Sequence, residues 1–292
     1  MDILPVLIET SGGVVGAMVT SPSGPPRGAA VILPGALGST RSGLNQVFAR
    51  LASSLAAVGV SSLRLDYPGS GESHLCRMSS WEESTAETIE WFRRRCGERN
   101  PVLVAECAGL LPAYREVHAG RGVSGVGLFL IPEPPAPGPA RRQRGWRARP
   151  LARWVWRLPR RLMFRVRYGP PDPRLVTIWP ASAYRALGGS EAMLREIAAR
   201  VPLWVLGAEA DPVTAELRRL GDRLGPEADC ELEVVGGTST GGSSLPGAAD
   251  VVRAVTRWVD RLLQPAAVAA AATVADGGRA EAVSGDRRRG LG

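Results

Sequence analysis

The stretch Val102-Leu103-Val104-Ala105-Glu106-Cys107-Ala108-Gly109-Leu110 decides how the rest of the chain is read. Its first four residues are apolar and form a short buried strand. They run with no spacer into small-x-Cys-x-small and then directly into a helix. A strand-to-helix turn that tight forces its central residue, Cys107, into strained dihedrals and brings neighbouring backbones close. Small residues are therefore needed two positions before and two after, and Ala105 and Gly109 meet that need. The Cys107 side chain is thrust above the sheet edge at the positive end of a helix, where a thiolate is favoured.

The same alternation continues on both sides. Residues 3–20 read as two short strands joined at Gly12-Gly13. After the Pro-rich turn 22–26, Ala29 to Leu33 is a buried strand ending at Pro34-Gly35. Leu44, Val47, Phe48, Leu51 and Leu55 recur at helical spacing, with Gly59 just past the helix end. A strand from Ser62 to Asp66, a loop from Tyr67 to His74 and a helix over 82–96 complete the approach. Beyond the elbow come a strand from Val123 to Ile131, a helix over 189–200, and strands Leu203 to Leu206 and Leu232 to Val235. A last helix near 248–263 carries Val251, Val255, Trp258, Val259 and Leu262 on one stripe. Short strands alternating with helices predict an α/β, mostly parallel, doubly wound sheet of about eight strands. Residues 1–131 and 174–263 form the core. Residues 132–173, rich in Pro and Arg, read as an inserted helical cap, and 264–292 as a disordered tail.

With 292 residues, 45% hydrophobic and 22% charged, and no internal repeat, the chain is neither a fibre, a coiled coil nor a wholly disordered protein. Its four Cys form no CxxC pair, which argues against a disulfide scaffold or a zinc ribbon. Those Cys and the two His are scattered and no phosphate loop is present, so neither a metal nor an organic cofactor is expected. The opening MDILPVLIETSGG has no basic stretch ahead of an apolar core, unlike a secretory signal. The longest apolar run, 266–275, falls short of the roughly 18 residues of a membrane span. A soluble, cytoplasmic chain is the expectation.

Beyond the elbow, the chain resembles the α/β-hydrolase family at three further places, in the family's order. Pro34-Gly35-Ala36-Leu37-Gly38 is similar to the oxyanion-hole loop, with Pro34 where His is common. Asp66-Tyr67-Pro68-Gly69-Ser70-Gly71-Glu72-Ser73 is similar to the D-x-x-G-x-G-x-S loop. Gly207-Ala208-Glu209-Ala210-Asp211-Pro212 is similar to the acid loop. The resemblance implies Cys107 as nucleophile where Ser is usual, Asp211 as the acid, and the N–H groups of Ala36 and Ala108 as the oxyanion hole. It also implies a general-base His after the last strand, and here the chain departs. That loop, Gly236 to Ser244, contains none. His118 lies 11 residues past Cys107, roughly 16 Å along a helix, and reads as a helix-end histidine. His74 follows the Asp66–Ser73 loop, which leaves a strand expected to neighbour the one bearing Cys107, so His74 is the candidate base. An exposed loop histidine is the plainer alternative. Glu106, beside the nucleophile, is a weak candidate for proton relay, and its charge would oppose thiolate formation.

The charge is concentrated. All 36 basic residues are Arg, the net charge is +8, and segment 141–167 holds 11 Arg and no acidic residue. Without that segment the chain carries −3, so an acidic body bears one cationic insert. Trp146, Trp154, Trp156, Leu162, Met163 and Phe164 are interleaved with the Arg residues. An amphipathic lid over an acyl pocket, docking of an acidic carrier protein that delivers a thioester, and attachment to an anionic membrane surface all fit. A solvated arginine face fits too. Specific nucleic-acid binding does not, because no reading element accompanies the basic patch.

Together these readings point to an enzyme of specialised metabolism acting on a small acyl ester or thioester through covalent Cys107, by hydrolysis, acyl transfer or cyclisation. A thiolate needs a base less than a hydroxyl does, whereas water attack on an acyl-enzyme needs one, so transfer or cyclisation is favoured. Family members with Cys at this position, dienelactone-type hydrolases and polyketide cyclases, keep the His absent here. The rival reading is a catalytically silent relative that binds a partner.

Overall fold

Two nine-residue strands open the chain, β1 (Asp2–Thr10) and β2 (Gly13–Ser21), paired antiparallel from Asp2↔Ser21 to Thr10↔Gly13. The computed structural model describes residues 1–35, 40–73, 81–97, 99–129, 189–209, 228–236 and 245–264, with positions 214, 218, 219, 221, 222 and 224. After the hairpin come β3 (Gly28–Leu33), α1 (Val47–Ala57), β4 (Val60–Leu65), α2 (Trp81–Arg95) and β5 (Val102–Glu106). Cys107–Gly109 form a single 3-10 turn that leads into α3 (Leu110–His118). β6 (Gly125–Phe129), α4 (Gly189–Ala198), β7 (Leu203–Ala208), β8 (Cys230–Val235) and α5 (Leu245–Leu262) follow. The cap 132–173 and the tail beyond residue 264 lie outside the described residues.

The eight strands form one sheet in the order β1-β2-β4-β3-β5-β6-β7-β8. The β1–β2 and β2–β4 pairings are antiparallel, and all others are parallel. β3, β4, β5, β6 and β7 are buried along their whole length, as a sheet covered on both faces requires. Successive strand residues point to opposite faces, so two separate cores form. Val31, Leu33, Leu103 and Ala105 pack with Phe92, Leu110, Tyr114 and Leu194 of α2, α3 and α4. Ala30, Ile32, Val102 and Val104 pack with Phe48, Leu51 and Leu55 of α1 and with α5. The α5 stripe is buried at Val251, Val255, Trp258 and Val259, each contributing about 1.5–3 kcal/mol. Trp258 stacks on Trp204 of β7 at 5.5 Å.

Two expectations change. Leu44 precedes α1 in a short 3-10 turn, because Asn45 and Gln46 take left-handed conformations (φ 50° and 58°) that break helical continuity. And β4 does not neighbour β5. β3 lies between them, paired parallel to both, so the loop leading to His74 leaves the sheet two strands from Cys107, roughly 10 Å away.

Candidate functional site at the carboxyl edge of the sheet

Parallel strands deliver their carboxyl ends to one rim, where open α/β sheets assemble their sites. β3 ends there at Leu33, β4 at Leu65, β5 at Glu106 and β7 at Ala208. Cys107, the next residue after β5, has φ +45°. For a residue with a Cβ that conformation costs roughly 1–2 kcal/mol, and the packing around it must hold it in place. Gly109 shows how. A Cβ there would fall 2.6 Å from the Leu33 carbonyl oxygen and 3.2 Å from the Ala105 Cβ. The first turn of the helix is thus pressed against the end of β3, and only glycine fits. Cys107 is half-buried and not disulfide-bonded.

Glu106 is 8% exposed, and its Oε2 accepts a hydrogen bond from the Gly35 N–H at 3.0 Å. Burial raises its pKa above the ordinary carboxylate value, with the Gly35 hydrogen bond opposing the shift. Glu106 thus makes a local hydrogen bond to the start of the loop after β3, the commoner role for the residue before a nucleophile. Tyr67 donates its hydroxyl to the Pro34 carbonyl at 2.9 Å, so two side chains from different strand ends meet at the same short segment.

The D-x-x-G-x-G-x-S loop is closed by its own first residue. The Asp66 carboxylate, 1% exposed, accepts from the Arg41 N–H at 2.6 Å, from the Glu72 N–H at 3.2 Å and from the Arg41 guanidinium. Ser73 Oγ donates to the Asp66 carbonyl at 2.7 Å and accepts from the Gly16 N–H at 2.8 Å. Arg41 also reaches Glu72 at 2.7 Å. Burial alone would lower the Arg41 pKa, but Asp66 and Glu72 outweigh it and the value rises. In the acid loop, Thr214 Oγ1 donates to the Ala208 carbonyl at 2.6 Å and ties the following segment to β7.

Of the residues expected to carry chemistry, Cys107 and the backbone of Ala108 stand together at the rim. Ala36, His74 and Asp211 lie outside the described residues. His118 is a helix-end residue, as expected: its Nδ1 lies 2.7 Å from Glu196 Oε1, and the Tyr114 hydroxyl donates to the other Glu196 oxygen at 2.8 Å. Hydrogen bonds from Tyr114 and His118 hold Glu196 below the usual carboxylate value. Two residues went unread in the sequence. Arg41 carries no motif signal, and Tyr67 was visible only as a variable position inside a recognised loop.

No family model and no curated protein matches the sequence. Solved structures do match the fold. The chain is similar to a highly thermostable carboxyl esterase from Bacillus coagulans in complex with glycerol, with a TM-score of 0.59 and 12% identity over 90% of this chain and 100% of that one. It is similar to a putative hydrolase from Agrobacterium vitis S4, with a TM-score of 0.58 and 18% identity over 90% and 100% of the two chains. An alpha-beta serine hydrolase homologue from Coxiella burnetii matches at a TM-score of 0.54 and 16% identity, over 86% and 96%. The chain has the α/β-hydrolase fold. At such identities the likeness establishes architecture, and the reaction must be argued from the site.

Proposed function

We propose that this chain is an enzyme that attacks an acyl ester or thioester with the Cys107 thiolate. The observation that carries the reading is the left-handed backbone of Cys107 (φ +45°) on a turn where Gly109 alone fits against β3. A backbone under that strain needs a reason, and presenting a nucleophile at a helix start is one. The thiolate adds to the substrate carbonyl carbon, forming the C–S bond while the π electrons move to oxygen. The N–H groups of Ala36 and Ala108 hold that oxyanion, each worth roughly 3–4 kcal/mol. Collapse expels the alkoxide or thiolate leaving group and leaves an acyl-enzyme. Asp211 is the candidate acid by its loop, and His74, the candidate base, follows a loop that leaves the sheet two strands from Cys107.

The second half-reaction follows from the groups the chain offers. The carboxylate next to Cys107 is bound to the Gly35 amide, and the loop 236–244 supplies no imidazole. Deprotonating a water is then harder than passing the acyl group to a nucleophile within the substrate or on an acceptor. This favours acyl transfer or cyclisation over simple hydrolysis, consistent with a cytoplasmic role in specialised metabolism and with delivery of the substrate by an acidic carrier protein.

The test is intact mass and peptide mapping after incubation with acyl-thioester mimics and short p-nitrophenyl esters. The expected result is one acyl adduct on Cys107, absent from Cys107→Ala. Turnover that survives Cys107→Ala, or acylation spread evenly over Cys76, Cys96 and Cys230, would overturn the assignment and leave a binding protein or a different nucleophile.

A further inference from the structure

The Pro34 carbonyl and the Gly35 N–H belong to one peptide group. Tyr67, from the loop after β4, donates to its oxygen at 2.9 Å. Glu106, the last residue of β5, accepts from its nitrogen at 3.0 Å. We propose that Tyr67 and Glu106 are positioning residues that grip this single peptide from both ends and so fix the direction in which the chain leaves β3. The inference rests on the reading of Cys107 as an acyl-accepting nucleophile, and it concerns how the peptide that leads to the proposed Ala36 donor is set.

The geometry supports a grip rather than a chance contact. A planar peptide held at both its C=O and its N–H cannot rotate about the chain axis without breaking one hydrogen bond. Both bonds are buried, where exchange with water does not offset their loss. Glu106 also packs so closely that a Cβ on Gly35 would lie 2.8 Å from Oε2, which leaves the peptide no room to swing toward β5. Glu106 and Cys107 are adjacent, so one strand end sets both Cys107 and the first peptide after β3. Ala36, whose N–H is the proposed oxyanion donor, is the next residue along. Misplacing such a donor by about 1 Å costs on the order of 100-fold in rate.

The test separates acylation from alkylation at the same sulfur. Acylation of Cys107 by p-nitrophenyl acetate passes through an oxyanion and releases p-nitrophenolate. Alkylation by iodoacetamide displaces iodide and forms no oxyanion. Rates at Cys107 are read by peptide mapping in wild type, Tyr67→Phe, Glu106→Ala, Glu106→Gln and Tyr67→Phe/Glu106→Ala. Acylation is expected to slow about 10- to 100-fold in Tyr67→Phe and in Glu106→Ala, and the double variant to be no slower than the worse single within about threefold. Glu106→Gln, which keeps an oxygen for Gly35, should recover to within about fivefold of wild type. Alkylation should fall by no more than about twofold in any variant, and rise if anything where the Glu106 charge that opposes the thiolate is removed. Parallel loss of acylation and alkylation in Glu106→Gln would make Glu106 a base instead, and unchanged acylation in both single variants would remove the grip.

If wild-type Cys107 takes no acyl group, the parent reading fails, and the grip is judged from the Gly35 amide proton resonance. A resonance kept downfield in Glu106→Gln and shifted upfield in Glu106→Ala upholds it. One that is unmoved in Glu106→Ala overturns it. Should Glu106→Ala fail to fold, Tyr67→Phe and Glu106→Gln carry both readouts.

Discussion

Cys107 holds a φ of +45° that glycine adopts without a steric cost. Replacing it with Gly removes the nucleophile and the strain together, whereas Ala removes the nucleophile and keeps the strain. Cys107→Gly should therefore be more stable than Cys107→Ala by about 1 kcal/mol in urea unfolding. Equal stability would mean that the elbow stores little energy. Its neighbour gives a pH signature. Burial holds the Glu106 pKa above its ordinary value in the folded protein, so the native state binds that proton more readily than the unfolded chain does. Linkage then makes this group's contribution fall as pH rises through the window between the unfolded and the raised folded pKa. Glu106→Gln has no charge to desolvate. Its stability relative to wild type should rise as pH climbs above the ordinary carboxylate range and level off once the raised folded pKa is passed, measured by paired urea titrations. A difference that stays flat or narrows with pH would mean the carboxylate is well compensated in its site.

At the scale of elements, the contact between the elbow turn and β3 makes a steric prediction. Gly109→Ala places a methyl group 2.6 Å from the Leu33 carbonyl oxygen, and relief requires moving the start of α3. A loss of about 1–3 kcal/mol is expected, together with slower acylation of Cys107. A well-folded, fully active Gly109→Ala would show that the turn is free to relax. On the other face, Thr20 and Ser62 are register partners across β2 and β4, both fully buried. Their hydroxyls find no hydrogen-bond partner among the described residues. Thr20→Val combined with Ser62→Ala should be neutral or stabilising by up to about 1 kcal/mol, and a clear destabilisation would reveal a bound partner for those oxygens. The strands and helices were legible in the sequence because their apolar periods, 2 and 3.6, are local properties. Sheet order was not. β4 and β5 follow one another among the strands of the chain, yet β3 pairs between them through contacts that no local pattern encodes. The elbow was readable because its small residues answer a close backbone approach. The Tyr67 and Glu106 contacts were not, because they depend on where two side chains point once three strand ends converge.

For the whole molecule, charge divides between a paired body and one stretch of the sequence. The described body binds many of its own arginines: Arg121 pairs with Glu116 at 2.9 Å, Arg257 with Glu233 at 2.5 Å and Arg261 with Glu231 at 2.7 Å, while Arg27 pairs with Asp260 and Arg41 with Asp66. The exposed pairs among them, those of Arg27, Arg257 and Arg261, add little stability, but all five neutralise the body that carries them. The excess cation is then the segment 141–167, whose 11 Arg turn a remainder of −3 into +8. A polyanion or an acidic carrier should therefore engage this protein through the insert, with an affinity that falls steeply as salt screens it. Replacing the 11 Arg by Gln should abolish retention on a heparin column at low salt. It should also leave the urea unfolding of the sheet within about 0.5 kcal/mol of wild type, because the paired body is untouched. Retention that survives the replacement would place the anion-binding surface on the hydrolase-fold body, and with it the docking face for any carrier. A large loss of stability would show instead that the arginines are built into the packing of the core.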